Sequence, residues 1–148
     1  MEYILKLSAI EENERLPLKV GGKAYNLALL AKRGFNIPNG FVITTDAYFE
    51  FIRYNSFDKT IKQMLAKTTM ENLAIQSTLL KEKLLSGELP TFIKEKVWRQ
   101  ISQLTSPFYA VRSSAPGEDS LSSTFAGIYD SYLGIDKGNL FEAIKKCL

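Results

Sequence analysis

Histidine is absent from the 148 residues, and cysteine occurs once, as Cys147. Without histidine the chain has no Ser-His-Asp triad, no histidine-ligated zinc and no phosphohistidine of its own. A single cysteine closes no disulfide within the chain, which points to a reducing compartment. No apolar run approaches the roughly 18 residues of a membrane span, and Met1-Glu2-Tyr3 does not begin the basic-then-apolar pattern of a secretory signal. The expectation is a cytoplasmic protein with no membrane partner. Net charge is also slight, +3 from 19 Lys and Arg against 16 Asp and Glu. Nucleic-acid binders concentrate far more positive charge, so no nucleic-acid partner is expected, and most of the nine Phe, seven Tyr and one Trp fall at positions that suit a core.

What is present suits a folded domain. A hydrophobic content of 45% supplies enough apolar surface to offset chain entropy without a metal or disulfide staple. Tyr3-Ile4-Leu5-Lys6-Leu7 reads as a first strand, and Glu11 to Pro17 as a loop. After Val20-Gly21-Gly22-Lys23, residues Ala24, Leu27, Ala28 and Ala31 share a helix face, and Gly34 stands where a glycine closes a helix. Phe41 to Thr44 is a β-branched, apolar strand, and Thr45 is placed to cap a helix to about Tyr54. The stretch 55–106 is helical, with stripes at Phe57, Ile61, Met64 and Leu65, then at Leu73, Leu80 and Leu84. A further helix starts at Pro90 and carries Ile93, Val97, Ile101 and Leu104. Pro107 ends it, and Phe108 to Val111 forms a strand. Arg112 to Thr124 reads as a loop, and Phe125 to Ile135 resumes as a strand. Asn139 and Glu142 have the spacing of a capping box ahead of Leu140, Phe141, Ile144 and Leu148. That last helix stops on its own apolar face, so the chain is expected to be an N-terminal fragment of a longer protein. The fold class is α/β (α+β), a small sheet with a helical insertion in the middle, as one unit over 1–148.

Two stretches could carry chemistry. Gly21-Gly22-Lys23 opens a helix, where unpaired N–H groups, the helix dipole and a lysine charge would together favour phosphate. It is not the Gly-x-x-x-x-Gly-Lys-Ser/Thr loop, since Ala24 and Tyr25 follow, and a glycine turn with a solvated lysine remains the other reading. The second stretch runs from Val111-Arg112-Ser113-Ser114-Ala115-Pro116-Gly117-Glu118-Asp119 to Ser123-Thr124-Phe125-Ala126-Gly127. An arginine at the end of a buried strand needs an anionic partner. That partner is either a phosphate, wrapped by the N–H groups of the loop, or one of the acids Glu118 and Asp119 in a structural clamp. A metal role for those two acids is not expected. Cys147 is expected to act as a small buried hydrophobe, and Trp98 as core.

Taken in order, these blocks resemble the N-terminal nucleotide-binding domain of the phosphoenolpyruvate synthase and pyruvate phosphate dikinase family, which includes the rifampin phosphotransferases. The matching residues are Val20-Gly21-Gly22-Lys23-Ala24-Tyr25-Asn26-Leu27, Gly34 to Tyr48, Ala110-Val111-Arg112-Ser113-Ser114-Ala115, Glu118-Asp119, Ser123-Thr124-Phe125-Ala126-Gly127 and Ser131-Tyr132-Leu133. The resemblance implies the first lobe of an ATP-grasp domain. It implies that Lys23 and Arg112 meet the phosphates of ATP, with Arg112 the catalytic residue, and that Gly127 and Ser131 also lie against the nucleotide. It implies Mg2+ with ligands outside this chain, a phosphohistidine in a separate domain, and pyruvate as final acceptor. A rifampin phosphotransferase is the alternative within the family, and a non-catalytic nucleotide or nucleic-acid binding module is the alternative outside it. The chain alone is expected to be inactive and to bind ATP weakly or not at all. Three positions depart from the family pattern: Ile128 where glutamine is usual, Gly134 where asparagine is frequent, and Pro116-Gly117 where Thr-Ala or a similar pair is common.

Overall fold

Four short strands and seven α-helices make up the described part of the chain, residues 1–13, 15–115 and 130–148 of a computed structural model. The fold is α+β, as expected. Strand β1 (Ile4–Lys6) pairs antiparallel with β2 (Phe41–Ile43), Leu5 opposite Val42 and Ile4 opposite Ile43. Strand β3 (Tyr109–Arg112) pairs antiparallel with β4 (Ser131–Ile135). The expected strand from Phe125 is thus seen from Ser131 onward, its earlier part lying outside the described residues.

Because side chains alternate along a strand, the β1–β2 ribbon has two apolar faces. Leu5 and Val42 join Ile10, Val20, Ala24 and Ala28 in one buried cluster. Ile4, Phe41 and Ile43 pack on the other cluster, built from Phe51, Phe57, Ile93, Val97, Leu140 and Ile144 among others. The ribbon is therefore a wall between two cores. Helices α1 (Leu16–Val20) and α2 (Gly22–Lys32) lie on the first side. Helix α1 was not expected: it starts inside the polar stretch read as a loop to Pro17. Pro17 falls in its first turn, where a missing N–H costs nothing. Helix α2 closes at Gly34 as expected, with the Phe35 N–H donating to Leu30 O and the Gly34 N–H to Ala31 O, the paired bonds of a Schellman ending.

On the second side lie α3 (Thr45–Tyr54), α4 (Asp58–Ala66), α5 (Leu73–Leu85), α6 (Thr91–Ile101) and α7 (Leu140–Cys147). The cap of α3 is Thr44 rather than Thr45; its hydroxyl donates to Glu2 O across the sheet and accepts no N–H from the helix. Pro90 is the residue just before α6. The stripe Ile93, Val97 and Ile101 is buried as the 3.6-residue period requires. Trp98 is not core: it follows Val97, so it sits about 100° round the helix from that stripe. It is 41% exposed, with its ring against Phe141. The rings of Phe35, Phe49, Tyr54 and Phe108 are likewise exposed. On α5, Leu80 and Leu84 are half-buried while Leu73 is exposed. The capping box of α7 does not form. The Asn139 amide donates to the Asp136 carboxylate, and Glu142 pairs instead with Lys146 one turn on, at 2.6 Å.

Helix α7 packs on β3 and β4, and Leu148 rests on the larger cluster. Tyr109 and Val111 of β3 belong to that packed face, leaving Arg112 exposed on the other. The pairing slips between Tyr109 and Val111, because Tyr109 faces Ile135 while Val111 faces Tyr132. The extra residue is on β4, where Gly134 has φ of +66°. Glycine and asparagine are the residues that enter this left-handed region most readily. The departure from the family pattern at this position is conformationally neutral for that reason.

Candidate functional site

The geometry of the site begins at Gly21. Helix α1 ends there, with the Gly21 N–H donating to Pro17 O, and α2 begins at the next residue. Gly21 has φ 79° and ψ 162°, a backbone region open to glycine alone. It lacks a side chain for a second reason as well. A Cβ built on it would lie 1.7 Å from Ser114 O and 2.4 Å from Ser114 Oγ.

Ser114 occupies that space and does the work of the missing side chain. A serine at the N-cap normally accepts from the N–H three residues into the helix. Here the capping residue is Gly21, and the oxygen that accepts the Ala24 N–H, at 3.1 Å, is Ser114 Oγ from 90 residues away. The Gly22 N–H donates to Ala115 O at 3.3 Å. Two of the donors that the sequence offers to a phosphate are thus already satisfied by the loop after β3. What α2 presents at this point is Lys23, half-buried in its first turn.

Arg112 ends β3 two residues before Ser114 and is the register partner of Ser131. Residues directly opposite in an antiparallel pair project to the same face, and both are exposed. Among the described residues no carboxylate pairs with the Arg112 guanidinium. Glu118 and Asp119, the acids offered as clamps, lie outside the described residues, as does Gly127. Ser113 turns the other way and is buried. Its N–H and its hydroxyl each donate to Asp130 O at 3.3 Å. The Asp130 carboxylate in turn takes Lys81 of α5 at 3.4 Å and the Tyr132 hydroxyl at 3.1 Å.

Cys147 of α7 points its thiol at the same carbonyl, 3.9 Å away. Burial pushes that thiol up to about 11, with the Asp130 carboxylate adding to the rise, while the Lys23 ammonium and the Ser113 N–H act against it. A raised thiol is a poor nucleophile at neutral pH, though Cys147 is half-buried rather than buried as expected. The Ala24–Ser114 and Gly22–Ala115 bonds hold the start of α2 against the residues that follow β3. The structure therefore gathers the carriers of Lys23, Arg112 and Ser131 at one joint. Sequence reasoning missed Ser114 and Asp130 as its fasteners. The one available signal was the position of Asp130 and Ser114 beside residues already singled out.

Residues 18–148 match the sequence profile of the pyruvate phosphate dikinase AMP/ATP-binding domain. The chain belongs to this family. As a member of the pyruvate phosphate dikinase nucleotide-binding family it is similar, at 34% identity over 98% of its length, to a rifampicin phosphotransferase of Bacillus cereus. It is 34% identical over 89% of its length to a phosphoenolpyruvate synthase of Aeropyrum pernix. With the phosphoenolpyruvate synthase of Helicobacter pylori it shares 29% over 87%. The chain spans about 17% of the length of the first two of these dikinase-family relatives and 18% of the third. Among the described residues no helix is long and apolar enough to cross a membrane.

Proposed function

We propose that this chain, residues 1–148, is the first lobe of an ATP-grasp nucleotide site in a phosphoenolpyruvate synthase-like phosphotransferase of the cytoplasm. The observation that carries this reading is the capping of α2 by Ser114, which fixes the start of the Lys23 helix against the exit of the Arg112 strand. Phosphoryl transfer asks the protein for positioning and charge neutralisation. Lysine supplies a point charge and arginine a planar fork. Lys23 and Arg112 take the phosphates of ATP in this reading, Ser131 lies on the same open face as Arg112, and Gly127 belongs to the loop over the nucleotide. Mg2+ accompanies ATP. In this reading its ligands come from the parts of the relatives that this chain does not span. In the whole protein the phosphoryl group passes to a histidine of another domain and then to pyruvate.

The test is ATP-dependent phosphohistidine formation by the full-length protein. Arg112→Ala and Lys23→Ala should each lower it by about 10²-fold or more, the scale of losing one charge-stabilising group. The melting temperature of Arg112→Ala should hardly move, because an exposed charge contributes about 0–1 kcal/mol to stability. A large loss of stability in Arg112→Ala with phosphohistidine formation retained would make it the structural clamp instead. The similarity to a rifampicin phosphotransferase over 98% of the chain favours a second acceptor. Consumption of rifampicin but not pyruvate, with Mg-ATP, decides for it. Being half a clamp, the 148-residue chain by itself should show no micromolar heat of binding on calorimetric titration with Mg-ATP.

A further inference from the structure

Ser114 follows Arg112 by two residues and caps the helix that carries Lys23. Its Oγ caps α2 at Ala24, one residue beyond Lys23. Its backbone oxygen fills the space beside Gly21, and the neighbouring Ala115 carbonyl accepts the Gly22 N–H. On its other side Ser113 is fastened twice to Asp130, the residue before Ser131. The Ser113-Ser114 pair thereby links the elements bearing Lys23, Arg112 and Ser131. A helix start held by its own capping residue would leave α2 free to shift against β3. One held by an oxygen from the β3 exit moves with β3.

We infer that Ser114 is a positioning residue that sets the Lys23 helix in register with the Arg112 strand, an inference that rests on Lys23 and Arg112 being the phosphate ligands. The Ser114 hydroxyl accepts the Ala24 N–H and is not itself assigned to the phosphates. Its function is to fix where the lysine stands relative to the guanidinium when charge develops on the transferring group. Misplacement of reacting groups by about 1 Å can cost about 10²-fold in rate.

The full-length protein tests this through ATP turnover, measured as kcat and KM for Mg-ATP and normalised to folded protein. Ser114→Ala should lower kcat by about 10- to 100-fold at saturating Mg-ATP, and Ser114→Thr, which keeps the γ-oxygen, should restore it. In the 148-residue chain, Ser114→Ala should speed hydrogen exchange at the Ala24 amide by about tenfold, as for a local opening that loses one bond, and Ser114→Thr should not. A Ser114→Ala variant with wild-type kcat, or one in which only the melting temperature falls, overturns the positioning role. So does an Ala24 amide whose exchange is unchanged. If Ser114→Ala is silent while Lys23→Ala and Arg112→Ala abolish turnover, the nucleotide reading stands and the role of Ser114 falls. If all three are silent, both fall.

Discussion

Gly21 and Gly134 both have positive φ, yet a methyl group at each should have very different consequences. Around Gly134 there is nothing within 4 Å of an added Cβ. Gly134→Ala therefore carries only the backbone penalty of the left-handed region, about 1–2 kcal/mol, and Gly134→Asn less. At Gly21 the added carbon would overlap the Ser114 backbone at 1.7 Å, in a backbone region whose own cost is about 1–3 kcal/mol. Gly21→Ala should exceed Gly134→Ala by at least about 2 kcal/mol in a urea denaturation series, since something in the loop must also shift. Equal midpoints for the two variants would mean that the loop does not sit on Gly21. A further residue-scale prediction concerns Cys147, whose thiol is held up near 11 against an ordinary 9. Between about pH 9 and 11 the unfolded chain gives up this proton and the folded chain keeps it, so stability falls as pH rises through that window. The rate of Cys147 alkylation by iodoacetamide should rise with pH with a midpoint of about 11, and the Cys147→Ser variant should lose this part of the stability profile. A thiolate midpoint near 9 would refute the burial of the thiol.

Helix α7 ties two elements together through Lys145. Its ammonium donates to Leu85 O at 3.0 Å and Gly87 O at 3.3 Å, at the end of α5. The last carbonyls of a helix have no partner within it and carry its negative pole. Lys145→Met keeps the stem but removes both bonds, and should cost about 1–2 kcal/mol. A thermal melt within error of wild type would show these bonds to be exchanged for water at no cost. This contact joins residues about 60 apart, and nothing local announces it. Elements with a sustained period were legible: the α6 stripe Ile93, Val97 and Ile101 lies where a 3.6-residue repeat puts it. The β-branched run at Phe41 to Ile43 is a strand. Helix α1 was hidden because its five residues are too few for a period. The α7 cap was misread because Asp136, three residues upstream, competes for the Asn139 amide. Such competition between side chains depends on a turn that no spacing rule includes.

At the scale of the molecule the residues proposed for the site stand out in the sequence because their types are restricted by chemistry. Glycines at a helix start, a lysine beside them and an arginine at a strand end are each costly without a reason. The joint between them was not legible, since a serine in a Ser-rich loop looks alike whether it caps a distant helix or faces water. Nor was the division into two cores, because three-residue strands are too short for alternation to declare which face meets what. That division yields a last prediction. Leu5 and Val42 face the core beneath α2, while Ile4 and Ile43, their neighbours on the same two strands, face the core around Phe51 and Ile93. Displacing either face moves the ribbon that both cores share, so the two should unfold as one unit. Val42→Ala removes apolar atoms from the α2 side alone, at a cost of about 1–3 kcal/mol. Trp98, against Phe141 on the far side of the ribbon, should report the same drop in midpoint by fluorescence as the helices do by far-ultraviolet circular dichroism. If the dichroism midpoint falls while the Trp98 transition stays in place, the ribbon does not couple the cores. The Lys23 helix would then open independently of the Arg112 hairpin.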